Sequence, residues 1–202
     1  LNVKVWSKSM KEKSALENLA HTLSKLPGIG LKSATRIAYS LIRTPNEFNK
    51  ILGESISTIQ DKVKPCSVCG AFTETDPCPI CTDSTRDQSL LCIVEQPQDV
   101  LTIQSSNAYS GLFHVLGGAI NPINGVGPED LSFNKLKERI AQGSFKEVII
   151  ATNPTEEGDI TAIFIRQILS SYPDIKLTRL ASGLPVGGDL EYADMTTLKR
   201  SF

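Results

Sequence analysis

Residues 147–165 read EVIIATNPTEEGDITAIFI: an apolar run, a polar turn, then a stretch with helical spacing. A run as short as Val148–Ala151, closed by Asn153 and Pro154, has the length of a buried strand. Strand, turn and helix in that order form the repeating unit of an open α/β sheet, which places its chemistry beyond the C-terminal ends of its strands. Here that end carries Glu156, Glu157 and Asp159. The stretch is therefore either a metal-dependent catalytic turn or a turn that keeps only the shape of one.

Outward from this unit the same alternation continues. SLLCIVEQP (89–97) and DIKLTRLAS (174–182) read as strands, and FNKLKERIAQ (133–142) and the segment after Glu157 read as helices. That order predicts a mainly parallel sheet with crossover helices. GGAINPINGVGPEDL (117–131) reads as a loop able to face either DNA or a partner. Residues 14–60 follow the helical period instead. Leu16, Leu19, Ala20, Leu23 and Leu26 share one face; Ala34, Ile37, Ala38 and Leu41 form a second, and Phe48, Ile51, Leu52, Ile56 and Ile59 a third. PGIG (27–30) and TPNE (44–47) separate the three helices.

At 202 residues and 40% hydrophobic, the chain can bury a core of one or two domains. No apolar run has the 18 or so residues of a membrane span, and LNVKVWSKSM is too polar for a signal-peptide core, so the expected location is cytoplasmic. The net charge of −1 is unevenly spread: residues 1–64 hold 11 Lys and Arg against 5 Asp and Glu, whereas residues 89–202 hold 9 against 13. Contact with a polyanion is expected from the first segment, although a solvated lysine-rich face has the same composition.

CSVCGAFTETDPCPIC places Cys66, Cys69, Cys78 and Cys81 as two CxxC pairs eight residues apart. Each pair can offer two thiolates to one ion, and two such turns complete a tetrahedral sulfur shell around Zn²⁺. Disulfides and redox chemistry are the alternatives; a cytosolic setting disfavours the first, and the tandem arrangement the second. Four protein ligands close the site to substrate. The expectation is one structural zinc per chain, contributing on the order of 10 kcal/mol of metal-coupled folding. Cys92, inside LLCIV, reads as a small buried hydrophobe.

LPGIG (26–30) joins two helices through a turn where Gly28 and Gly30 free the backbone. Such a turn can aim amide N–H groups at a phosphate. Lys32 and Arg36 stand four residues apart on the second helix, Arg43 lies on nearly the same face, and Lys25 adds charge before the turn. Binding of this kind grips the DNA backbone without reading bases and weakens with salt. A plain helix connector is the alternative. No GxxxxGK[ST] loop occurs.

LPGIG resembles a helix-hairpin-helix element, and its order before four cysteines and an α/β region resembles the RecR family of bacterial recombination mediators. The likeness continues through CPICTDSTRDQSLLCIVEQPQDV, GVGPEDL, ATNPTEEGDITA and GLPVGGDLEYAD, from about residue 16 to 198. It implies a multi-part α+β fold: a helical helix-hairpin-helix region over 1–64, a four-cysteine zinc finger over 65–82, a Toprim α/β domain over 83–182, and a C-terminal segment over 183–202 available for subunit contact. It further implies a ring-like homotetramer that clamps DNA and acts with RecO and RecF in loading recombinase. Lys32 and Arg36 match positions implicated in DNA binding in the family.

Catalytic Toprim domains pair a Glu after one strand with an Asp-x-Asp after a later one to hold Mg²⁺. Glu95 stands after LLCIV as that fold requires, but Asn153 and Thr155 stand where the two Asp belong. Mg²⁺ dehydrates reluctantly, so losing two carboxylates weighs against a site. Two readings follow: a non-enzymatic DNA-binding scaffold without catalytic residues, in which Glu95, Glu157 and Asp159 form an acidic surface for a basic partner such as RecO, or a Toprim nuclease or strand-passage enzyme with a degenerate metal site. No tyrosine carries a strand-passage signature, and the scaffold is the expectation.

Overall fold

The computed structural model describes residues 14–181, 183, 184, 187 and 189–201. The segment LNVKVWSKSM and part of the C-terminal segment 183–202 lie outside the described residues. The chain divides into two units, Leu1–Lys62 and Val63–Phe202.

The first unit contains α1 (Ala15–Leu23), α2 (Leu31–Arg43) and α3 (Asn46–Lys62). Ser14 starts α1 with a reciprocal cap: its hydroxyl accepts from the Glu17 N–H at 3.2 Å, and the Glu17 carboxylate accepts from the Ser14 N–H at 2.8 Å. Ala20, Ala34 and Ala38 are buried where α1 meets α2, flanked by Leu16, Leu23 and Ile29. Side chains this small let the two backbones approach closely. The third predicted face behaves differently. Phe48, Ile51, Ile56 and Ile59 are each at least half exposed, and α3 buries no residue. Periodicity identifies an apolar face but not what covers it.

The second unit begins with a small antiparallel pair, β1 (Lys64–Pro65) and β2 (Phe72–Thr73), and the short helix α4 (Pro79–Thr82). There follow β3 (Asp87–Val94), α5 (Pro97–Ser105), β4 (Gly111–Val115), α6 (Phe133–Gln142), β5 (Glu147–Ala151), α7 (Glu156–Leu169), β6 (Lys176–Arg179) and α8 (Met195–Ser201). Four strands form one sheet in the order β4-β3-β5-β6, every pair parallel. The fold is thus the expected one: a helical N-terminal region, a four-cysteine cluster and a parallel α/β sheet.

Side chains alternate between two cores across this sheet. Leu91, Ile93, Leu112, Val148 and Ile150 pack with Leu136 and Ile140 of α6 and with Ala162, Ile165 and Leu169 of α7. Cys92, Val94, Phe113, Val115 and Ala151 pack with Val100 of α5 and with Cys66, Cys69, Ala71 and Cys78. Each buried Leu, Ile or Phe contributes roughly 1.5–3 kcal/mol. The cysteine segment therefore covers part of one sheet face instead of standing apart from the α/β region.

Sequence patterning did not anticipate β4 or α5. All five residues of β4 are buried although it lies at the sheet edge. Its outer backbone is closed by other groups. Arg86 donates to the Gly111 carbonyl at 2.8 Å, Arg139 to that of Phe113, and Ser132 Oγ to that of Val115 at 2.6 Å, while the Val115 N–H donates to the Cys69 carbonyl at 2.7 Å.

His114, in β4, is 1% exposed. Its Nε2 lies 3.2 Å from the Ser132 carbonyl, which can only accept, so the neutral ring carries its proton there. Nδ1 is buried and unpartnered among the described residues. Burial, aided by the Arg139 charge, pushes the imidazole down to about 4. An unfolded chain takes up this proton near pH 6.5, and the folded chain refuses it until about pH 4. Stability should therefore fall as pH drops through that window, by at most about 3 kcal/mol from this residue. Thermal melts of zinc-loaded protein between pH 7 and 5 should show a shallower acid slope in His114→Gln than in the parent; equal slopes would contradict the assignment.

Candidate functional site

Three places carry the chemistry anticipated from sequence. The Sγ atoms of Cys66, Cys69, Cys78 and Cys81 all lie within 4.8 Å of one another. Cys69 and Cys78 are 3.5 Å apart and Cys66 and Cys81 4.0 Å, close to the ~3.8 Å edge of a tetrahedron with 2.3 Å Zn–S bonds. All are free thiols. The Cys81 thiol and its neighbours hold Cys69 down at about 5, burial pushes Cys78 up to about 11, and Cys69 drives Cys81 up as well. One thiolate thus suppresses the ionisation of Cys78 and Cys81, and a dication among the sulfurs removes that conflict. The Cys78 N–H donates to Cys66 Sγ at 3.3 Å, a contact that favours a sulfur bearing negative charge. The donor set fits Zn²⁺.

In the first unit, Gly28 has φ +77°, a left-handed turn that suits glycine, and Gly30 is the residue before α2. No side chain caps α2 and no acid stands in its first turn, in contrast to α1 and α7. Its leading N–H groups stay open to an external acceptor. Lys25, Lys32, Arg36 and Arg43 are all exposed, and none forms a salt bridge among the described residues.

At the strand ends, Glu95 is only 6% exposed. One carboxylate oxygen accepts from the Asn153 backbone N–H at 2.8 Å, the other from Asn153 Nδ2 at 2.7 Å. Thr155 caps α7 by accepting from the Gly158 N–H at 3.1 Å. A Cβ on Gly158 would lie 2.0 Å from the Asn153 carbonyl oxygen and 3.0 Å from Glu95 Oε1, so only glycine permits this approach of helix, turn and carboxylate. Asp159 pairs with Arg179 at 2.6 Å, and Glu157 accepts from Asn121 Nδ2 at 3.3 Å.

Glu95 therefore does not share an acidic surface with Glu157 and Asp159, as the sequence had led us to expect. It is buried and spent on Asn153, whereas the other two are half-buried on α7. Sequence reasoning identified Asn153 as an absent acid but missed it as the partner of Glu95. It also missed Gly158, whose signal was a glycine in the first turn of a helical pattern.

Comparison with known proteins bears on all three places. The Toprim domain model matches residues 89–181, the RecR four-cysteine zinc-finger model residues 63–83, the RecR helix-hairpin-helix model residues 16–59, and the RecR C-terminal model residues 183–202. Recombination protein RecR of Treponema denticola is 53% identical over 188 residues, covering 93% of this chain and 96% of the relative. The Bifidobacterium adolescentis protein of the same name is 50% identical over 187 residues, 93% of each chain. The chain belongs to the RecR family. A third relative of that name, from Tropheryma whipplei, is 48% identical over 186 residues, covering 92% of this chain and 93% of its own. The RecR zinc-finger match encloses the four clustered cysteines, and the RecR helix-hairpin-helix match takes in most of α1, the Gly28 turn and α2. Among the described residues no helix is long and apolar enough to cross a membrane.

Because Asn153 is a double donor to Glu95, Asn153→Asp should set carboxylate against carboxylate and lower stability by about 2 kcal/mol, several degrees in Tm. Millimolar Mn²⁺ should recover part of that loss in Asn153→Asp and leave the parent unchanged. A parent stabilised equally by the ion would show that Glu95 is not committed to Asn153.

Proposed function

We propose that this chain is a non-enzymatic DNA-binding recombination mediator in DNA repair, a cytoplasmic protein that forms a ring-like homotetramer, clamps DNA and acts with RecO and RecF to load recombinase on single-stranded or gapped DNA. The observation that carries the non-enzymatic reading is the Glu95–Asn153 pair. The buried acid that a Toprim site would direct at a metal already receives two hydrogen bonds from an uncharged residue. Phosphoryl-transfer chemistry with Mg²⁺ needs clustered anionic oxygen, and here the neighbour of the buried acid is the uncharged amide of Asn153.

DNA binding rests on α2 and the turn before it. The uncapped N–H groups at the α2 start offer donors to a phosphate, and Lys32, Arg36 and Arg43 supply the positive charge, with Lys25 ahead of the Gly28 turn. Such groups grip phosphate oxygens without reading bases. Self-association draws support from the apolar face of α3, where Phe48, Ile51, Ile56 and Ile59 are at least half exposed. For the partner RecO, the basis is the acidic side of the α7 start, with Glu157 and Asp159. Zinc, one per chain, would be held by Cys66, Cys69, Cys78 and Cys81 and would act structurally, fixing the finger against the sheet.

Replacing Lys32 and Arg36 together by Ala should weaken binding to oligonucleotide DNA and reduce the salt slope of log K by about 2, read by fluorescence anisotropy across ionic strength. Unchanged affinity and slope would remove α2 from the interface, and Mg²⁺-dependent strand cleavage lost in Glu95→Ala would replace the scaffold with an enzyme. Elemental analysis should find about one zinc per chain. Chelation at neutral pH should lower Tm steeply, because the finger covers a face of the sheet; metal-free protein with the parent melting temperature would refute the structural role.

A further inference from the structure

Between Leu116 and Ser132 the chain leaves the sheet and returns, carrying Ile123 on the way. Ile123 is 94% exposed, the most exposed large apolar side chain among the described residues. The segment that bears it is fixed by many bonds. Asn121 and Val126 exchange two backbone hydrogen bonds, of 3.0 and 2.9 Å, and form an isolated antiparallel bridge. Within that bridge Pro122–Asn124 make a 3₁₀ turn capped by Asn121, whose Oδ1 accepts from the Asn124 N–H at 3.0 Å. Gly125 closes the turn in a left-handed conformation, φ +69°. The base is anchored twice to α7, by the Ile120 N–H donating to Thr161 Oγ1 at 2.8 Å and by Asn121 Nδ2 donating to Glu157. Ile120 and Leu131 are buried in the core with α6 and α7.

A flexible loop would turn an isoleucine inward or leave it averaged in solvent. This one is held outward by a built turn, so an apolar anchor is presented at low ordering cost. The segment that carries it is anionic. No Lys or Arg occurs between residues 117 and 134, whereas Glu129 and Asp130 are exposed, with Asp130 accepting from the Gly127 N–H at 2.9 Å. Glu157 lies at the loop base through Asn121. Carboxylates in and at the base of this segment disfavour a phosphate backbone and match a basic protein surface.

We propose that Ile123 is the anchor of a protein-docking surface, inserting into an apolar socket of a basic partner while Glu129, Asp130 and Glu157 meet the cations around that socket. This rests on the partner reading above and adds to it the residue that carries the affinity. The acids set encounter rate and salt dependence, and the buried isoleucine sets residence time.

The test uses the full chain with purified RecO as probe, and in parallel labelled single-stranded and duplex oligonucleotides. Ile123→Ala should bind RecO about 10- to 100-fold more weakly through faster dissociation, as expected for losing a buried aliphatic anchor. Its melting temperature and DNA affinity should match the parent, and Ile123→Leu should retain most of the binding. RecO binding unchanged in Ile123→Ala would overturn the proposal while leaving the partner reading intact. A parent that fails to bind RecO would overturn the partner reading itself. Loss of DNA binding alone in Ile123→Ala would make the residue a wedge for nucleic acid and reject the protein socket.

Discussion

A parallel sheet has two apolar faces, and both must be covered. In the second unit one face is roofed by α6 and α7 in the ordinary way, but the other relies on α5 together with the cysteine segment. That segment holds too few apolar side chains to fold alone, and one ionised thiol opposes ionisation of its neighbours. Both difficulties have the same solution. A dication would fix the sulfurs, holding in place the knuckles that cover Phe113 and Val115 and set the Cys69 carbonyl on the open N–H of the edge strand. Because Cys66, Cys69 and Cys78 share a core with Val94, Phe113 and Val115, occupancy of the cysteine site would be coupled to the integrity of the sheet.

The Glu95–Asn153 pair is the second constraint. A buried carboxylate without a partner is strongly destabilising, so the turn after β5 supplies donors to Glu95. Asn153 does this from both backbone and side chain, and the geometry depends on Gly158 having no Cβ. Asn153 thereby bridges the ends of β3 and β5 and holds the turn in shape. Hydrogen bonding is enough to hold the strand–turn–helix in shape at this position.

Much of this was legible in the residues, for identifiable reasons. The CxxC spacing is set by coordination geometry and read correctly as a cluster; β3 and β5 announced themselves as short apolar runs, β6 as an alternating one, and the three N-terminal helices by period and by their Pro and Gly breaks. What escaped was whatever depends on cover. GLFHV, buried at the sheet edge, shows no alternation because both of its faces and its outer carbonyls are occupied. Glu95 looked like a surface acid because burial of a charge is visible only through its partner. The α3 face was legible as an apolar face but not in its cover, because apolar periodicity is the same whether the covering surface belongs to this chain or to another.

Charge and packing also divide the work between the units. The first has a small buried core of three alanines, yet those alanines determine how closely α1 and α2 approach and hence the turn that leaves the α2 start uncapped. The starts of α1 and α7 satisfy donors with their own side chains; that of α2 does not, and it lies beside exposed cations in the segment with the positive balance. In the second unit several acids are engaged instead: Asp159 with Arg179, Glu147 with Lys176 and Thr178, Glu157 with Asn121. Acids held in this way are fixed in position, whereas the α2 start leaves its N–H groups open beside exposed cations. The uncapped, positively flanked helix start and the engaged acids thus belong to different units of the chain.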